Sequence, residues 1–294
     1  IAIYDSDETR LGEISARYAV KFFSNYDQLM AFSQIIDIVT PTDSHYVLAK
    51  KALMANKDVF IEKPVCESLS QLEDLIEIRK RLGNIVQIGF VERYNPAFTA
   101  IKEKIENPRF FEVHRLAPYN PRGTEVSVIM DLMIHDLDIL SFFVKSKLTQ
   151  ISATGVPIIS SSPDITNVRM EFECGCVANL TASRISMKRM RKMRVFSINN
   201  YANIDFLEKK SEQYCIMEDD SIQDGLPFQT KNGISKRLIH NEYNSQKINS
   251  MQEELTDFYD HVLTRNVNTM ADLEGSEVSL EWAIKIQEIL DHTR

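Results

Sequence analysis

From Ile1 to Gly89, short β-favouring runs alternate with helical patterns, and this constrains the chain more than any other feature. Ile1–Tyr4 precedes a helical stretch from about Glu8 to Tyr18. Val20–Phe23 precedes a short helix over Asp27–Phe32, and Ile35–Val39 precedes a helix that reaches about Asn56. Asp58–Ile61 comes next. The helical pattern after it has Ser68 and Gln71 at capping-box spacing and Leu69, Leu72, Leu75, Ile76 and Leu82 on one apolar face, and Ile85–Gly89 follows. Strands separated by helices at this spacing are βαβ units, so the stretch reads as a parallel sheet in an α/β layer architecture. Open sheets of that kind bind ligands at the carboxyl ends of their strands. Val59-Phe60-Ile61-Glu62-Lys63-Pro64 delivers a charged pair to that edge, although a solvated Glu62–Lys63 pair is the plainer reading of so short a motif by itself.

Charge and composition exclude several classes. A formal net charge of −8 argues against a nucleic-acid binder, whose footprint is basic. No apolar run approaches the ~18–20 residues needed to cross a bilayer, so no membrane partner is expected. The 4 cysteines, Cys66, Cys174, Cys176 and Cys215, are too few for a disulfide framework in 294 residues, which favours a reducing, cytoplasmic setting. Cys174-Gly175-Cys176 lacks the second pair of a metal site and reads as a Gly-centred hairpin turn; no metal is expected.

Glu92-Arg93-Tyr94-Asn95-Pro96 ends the first domain, and a helix from about Pro96 to Glu106 opens the second. Domains are therefore expected over 1–92 and 93–294. Phe110–Arg115 alternates as a strand. Val126–Val144 is apolar nearly all round, the mark of a helix buried on most faces. Asp131, His135 and Asp138 interrupt it at i, i+4 and i+7 and are expected to share a face. Ionisable groups there must be paired in the core or face a cleft, and the pattern leaves both open. Ile151–Val156, Thr166–Glu173, Val177–Ser183, Arg194–Asn199 and Ala202–Leu207 read as short strands of a meander or mixed open sheet. Asp219-Asp220, Gly225-Leu226-Pro227 and Asn232-Gly233 mark a loop-rich excursion to about Ser235. Leu255–Leu263 and Ser276–Leu290 are closing amphipathic helices, with Trp282 in the core. Arg184, Lys188, Arg189, Arg191, Lys192 and Arg194 form the one basic block, which suits either a solvated strand–loop–strand crossing or a polyanionic ligand.

The series YDSD, TPTDSHYVLAKKAL, VFIEKPVCES, IGFVERYNPAF and DLMIHDLDIL resembles, in order, the motifs of the Gfo/Idh/MocA family of NAD(P)-dependent oxidoreductases. The resemblance covers nearly the whole chain. It implies a Rossmann-type parallel sheet followed by an α+β domain with a large, mostly antiparallel open sheet, which carries substrate and a homodimer or homotetramer interface. It also implies hydride transfer between a sugar hydroxyl carbon and the cofactor. Lys63, Asp131 and His135 would be catalytic: Lys63 on the reacting hydroxyl, His135 as general base, Asp131 orienting it. Asp5, Thr40, Pro41, His45, Glu62, Lys63 and Arg93 would contact cofactor. Asp5 either caps the following helix or hydrogen-bonds the adenosine ribose, and in the second role it favours NAD over NADP. Arg189 and Arg191 would meet the diphosphate of a nucleotide-linked amino sugar oxidised at C3, such as UDP-N-acetylglucosamine. A free sugar or polyol dehydrogenase and a non-catalytic sugar-binding relative are the alternatives. The family's first strand and Gly-rich phosphate loop have no counterpart here, since Ile1 aligns with the second strand. The native protein is expected to carry that βα unit upstream, and a polypeptide beginning at Ile1 to bind NAD poorly.

Overall fold

The protein is described here by a computed structural model covering residues 1–120, 126–217, 225–244 and 247–292. The Asp219-Asp220 turn expected from sequence lies outside them. Two compact units form, Ile1–Gly89 with Thr256–Ser276, and Phe90–Leu255 with Glu277–Arg294.

In the first unit, β1 (Ala2–Ile3) and β2 (Lys21–Phe22) pair in parallel around α1 (Glu8–Tyr18), and α2 (Tyr26–Phe32) follows. A separate parallel sheet, ordered β3-β4-β5, comprises β3 (Ile35–Ile38), β4 (Asp58–Glu62) and β5 (Val86–Gly89), connected by α3 (Thr42–Met54) and α4 (Leu69–Leu82). Local chemistry sets the helix ends. Asp7 caps α1 by accepting from the Thr9 and Arg10 amides, and Ser68 caps α4 by accepting from Gln71 N. Gly83 ends α4 at φ 73°, a left-handed position that a residue without Cβ occupies freely. α4 buries Leu72, Leu75, Ile76 and Ile78, and α3 buries Ala49, Ala52 and Leu53. β4 is buried along Asp58–Ile61, as befits a central parallel strand covered on both faces.

Thr256–Ser276 packs in this unit although it follows the second in sequence. Phe258 joins Phe60 and Ile85 in a buried cluster, Arg265 Nη1 pairs with Asp58 Oδ2 at 2.6 Å, and Ile88 N donates to Ala271 O.

The second unit is built on a nine-stranded sheet. Its strands are β6 (Phe110–Leu116), β7 (Leu148–Val156), β8 (Ile165–Phe172), β9 (Val177–Ser183), β10 (Met190–Ser197), β11 (Asn200–Asp205), β12 (Lys210–Met217), β13 (Leu226–Gln229) and β14 (Ser235–Asn244). Their order is β13-β14-β12-β11-β10-β6-β9-β8-β7, antiparallel throughout except for the parallel pair β6–β9. Alternation along β6 buries Phe111, Val113 and Arg115 on one face and leaves Phe110, Glu112 and His114 on the other. Gly175, at φ 81°, makes the turn between β8 and β9 as expected. Trp282 is buried against Phe172.

Three expectations are corrected in this unit. The helix over Pro96–Glu106 is a single turn, α5 (Pro96–Thr99), followed by a 3-10 turn at Lys102–Lys104. The excursion to Ser235 contains a hairpin, β13–β14, and β12 precedes it. The helix begun near Val126 opens as a π-helical turn, Ile129–Met133, before α6 (Ile134–Phe143). Helices α7 (Ser250–Thr264) and α8 (Leu273–His292) close the chain. Among the described residues no helix is long and apolar enough to cross a membrane.

Candidate functional site

In the first unit, β3, β4 and β5 run parallel, so Thr40-Pro41, Glu62-Lys63 and Gly89 all emerge at the same carboxyl edge. Glu62 lies opposite Gly89, and its carboxylate fills the space a side chain there would need: a Cβ on Gly89 would stand 2.8 Å from Glu62 Oε2. That oxygen also accepts from Lys63 N at 3.2 Å. His45 does not face outward at this edge. It is 1% exposed, and its ring bridges two loops, Nδ1 to Pro64 O at 2.8 Å and Nε2 to Thr40 O at 2.7 Å. Its contribution is to hold the β3 and β4 exits in place, while Thr40 and Pro41 are exposed. Burial pushes the thiol of Cys66, on the loop after β4, up to about 12, and the thiol donates to Ser68 O. Asp5 follows β1, accepts from Asp7 N, and lies 3.7 Å from Arg10 Nη1 with its side chain one-third exposed.

The second unit contains a buried charge network. Arg115, at a core position of β6, donates through Nε and Nη2 to both oxygens of Asp136 at 2.9 and 2.8 Å, and through Nη1 to Glu92 Oε1 at 2.9 Å. Arg93 Nε and Nη2 grip Asp138 at 2.8 and 2.6 Å. Burial pushes the Asp136 and Asp138 carboxyls above their ordinary range, and the facing guanidiniums pull against it. Arg191 Nη1 reaches Glu92 Oε1 at 3.4 Å and supplies a third cation to the three carboxylates. Arg93, expected among the cofactor contacts, thus has its guanidinium fork taken up by Asp138.

Asp138, expected to share a face with Asp131 and His135, lies one α-turn beyond His135 on α6 but is buried and held by Arg93. Asp131 and His135 stay half-buried, whereas Met133, Ile134 and Asp136–Leu140 are buried. Asp131 lines a cavity of about 260 Å³ together with Leu132, Leu116–Pro118, Asn120, Arg184, Arg189 and Arg191. Two arginines singled out in the sequence therefore meet Asp131 in one cavity. Arg184, read only as part of a basic run, joins them. A larger cavity of about 600 Å³, between β7 and α8, contains none of the predicted residues. Glu212, His240 and Glu242 also approach one another within 4.8 Å on the open face of the sheet, a proximity that follows from the β12–β14 register.

A parallel sheet presenting Lys63 at its carboxyl edge, followed by an open sheet carrying an Asp/His-bearing helix, defines a two-domain nicotinamide-dependent dehydrogenase. The chain belongs to the GFO/IDH/MocA oxidoreductase family: residues 1–90 match the family's NAD-binding Rossmann-fold model and residues 103–197 its C-terminal domain. It is 33% identical over 213 residues to the UDP-N-acetylglucosamine 3-dehydrogenase of Acidithiobacillus ferrooxidans, a match covering 72% of this chain and 68% of that protein. The solved structure of a UDP-N-acetylglucosamine 3-dehydrogenase from that organism superposes with a TM-score of 0.87 at 27% identity, over 99% of this chain and 89% of the other. An inositol 2-dehydrogenase of Rubrobacter xylanophilus is 28% identical over 53% of this chain and 48% of its own length. The chain spans about half of that relative.

Proposed function

We propose that the protein oxidises C3 of a nucleotide-linked amino sugar, of the UDP-N-acetylglucosamine type, with NAD. The observation that carries this reading is the cavity shared by Asp131 with Arg184, Arg189 and Arg191. A free polyol has no use for a cluster of guanidiniums, whereas a diphosphate is matched by it in charge and fork geometry. The similarity to a UDP-N-acetylglucosamine 3-dehydrogenase points the same way.

The donor set at the sheet edge fits a nicotinamide dinucleotide. Asp5 offers a partly exposed carboxylate after β1 for a ribose diol and disfavours a 2′-phosphate, and Thr40, Pro41, Glu62 and Lys63 stand at the exits of β3 and β4. A nicotinamide held there would supply the hydride acceptor. Lys63 donates a hydrogen bond to the reacting hydroxyl. His135 takes its proton as general base, a role suited to an imidazole at neutral pH, and Asp131 orients the imidazole or binds the same hydroxyl. His45 serves by fixing the Thr40 and Pro64 carbonyls. Assembly as a homodimer or homotetramer through the open face of the second-unit sheet completes the reading. It is supported by a ladder of half-buried Phe110, Phe196, Tyr201 and Tyr214 that ends on exposed His240. Four free cysteines suit a cytoplasmic setting.

Titrating the full-length protein with NAD and with NADP tests the cofactor assignment. Tighter binding of NAD is expected, and replacing Asp5 with Ala narrows the difference. A preference for NADP overturns the role given to Asp5.

A further inference from the structure

We infer that Arg184 is the buried anchor for the substrate's diphosphate, an assignment that rests on the nucleotide-sugar reading above. Among the described residues, Arg93, Arg115 and Arg184 are the buried arginines. The first two are each gripped by a carboxylate. Arg184 is different. It follows the end of β9, is 5% exposed, and its backbone N donates to Asp164 O at 2.9 Å. Its Nη2 donates to a neutral acceptor, Val126 O, at 2.8 Å, and its buried Nε meets no acceptor among the described residues.

A guanidinium keeps its charge inside a protein, and a buried charge without a counter-charge is costly. Arg184 is held instead against the cavity that Asp131, Arg189 and Arg191 also line. The lining of that cavity offers both a carboxylate and guanidiniums to one ligand. A ligand with a hydroxylated part and an anionic part finds a matching group for each, Asp131 for a hydroxyl and the arginines for phosphates. Exposed Arg189 and half-exposed Arg191 are screened by solvent, and Arg191 is already shared with Glu92. Buried Arg184 is the arginine whose contact with an anion is least screened.

The test is calorimetric titration of the full-length protein with UDP and, separately, with inorganic pyrophosphate, for wild type, Arg184→Gln and Arg184→Lys. Wild type should bind UDP. Arg184→Gln should weaken it by about 10- to 100-fold, the scale of a lost charge-assisted hydrogen bond. Arg184→Lys should remain about 10-fold weaker than wild type because an ammonium lacks the planar fork. A folded Arg184→Gln protein that binds UDP like wild type overturns the assignment while leaving the nucleotide-sugar reading intact. If that variant fails to fold, Arg184→Lys, which keeps the cation and can reach Val126 O, decides, and unchanged affinity again overturns it. Wild type binding neither UDP nor pyrophosphate brings down the nucleotide-sugar reading itself, and this assignment with it.

Discussion

Charged residues on and around α6 fall into two groups that behave oppositely under mutation. Asp136 and Asp138 are spent on Arg115 and Arg93, whereas Asp131 and His135 remain half-buried. Removing Arg93 strands a carboxylate that is 1% exposed, so Arg93→Ala should destabilise the protein by about 3–5 kcal/mol. Chemical denaturation measures this, and a loss below about 1 kcal/mol would show that Asp138 finds another partner or a proton. His135→Ala should do the reverse, lowering kcat by about 10²–10⁴-fold with the melting temperature and NAD affinity little changed. Near wild-type turnover would make His135 a structural residue. Sequence carried part of this contrast. Arg115 sits at the buried parity of Phe111 and Val113, a position where a cation must be paired, yet nothing in the spacing of Asp136 or Glu92 identified its partners. Arg184 was hidden in its basic run because burial at a strand end is set by the neighbouring strands, not by local pattern.

Elements with strong local signals were legible, and those shaped by context were not. Ser68 and Gly83 bracket α4 by chemistry written in their side chains. By contrast, β13 is exposed at all its positions and carries no alternation to read, and β12 mixes Lys210, Glu212 and Gln213 among its apolar residues. The π-helical turn before α6 has no sequence mark. The connection between β7 and β8 shows another device absent from pattern reading. Asp164 Oδ2 accepts from the amides of Ile158, Ile159 and Ser160 at 2.8, 2.6 and 2.9 Å. Burial works to raise this carboxyl, but the three amides outweigh it and hold it well below the usual range. A carboxyl depressed in the folded state contributes stability that is complete above its unfolded pKa of about 3.9 and is lost as pH falls toward the folded value. The three amides should therefore exchange faster below about pH 4, after correction for intrinsic rates, and Asp164→Asn should show weak protection already at neutral pH. Protection that is equal in both proteins would contradict this account.

At the scale of the whole molecule, the parallel-then-antiparallel succession was legible because strand–helix alternation gives way to strand–turn alternation near Phe110. The return of Thr256–Ser276 to the first unit was not, since a helical pattern does not say which sheet it covers. The open face of the large sheet carries its ladder of aromatic rings, with Phe196 and Tyr201 centred 4.8 Å apart and Tyr214 stacked on His240 at 4.4 Å. If copies of the chain associate there, Tyr201→Asp should lower the mass seen by light scattering, and a wild-type monomer at micromolar concentration would rule the interface out. If the protein oxidises a nucleotide-linked amino sugar with NAD, NADH should form when the full-length enzyme is supplied with NAD and UDP-N-acetylglucosamine but not with NAD and free inositol. Saturable turnover with the nucleotide sugar, yielding a 3-keto product, is expected, with little or none from inositol. Efficient oxidation of inositol with no NADH from UDP-N-acetylglucosamine would overturn the assignment.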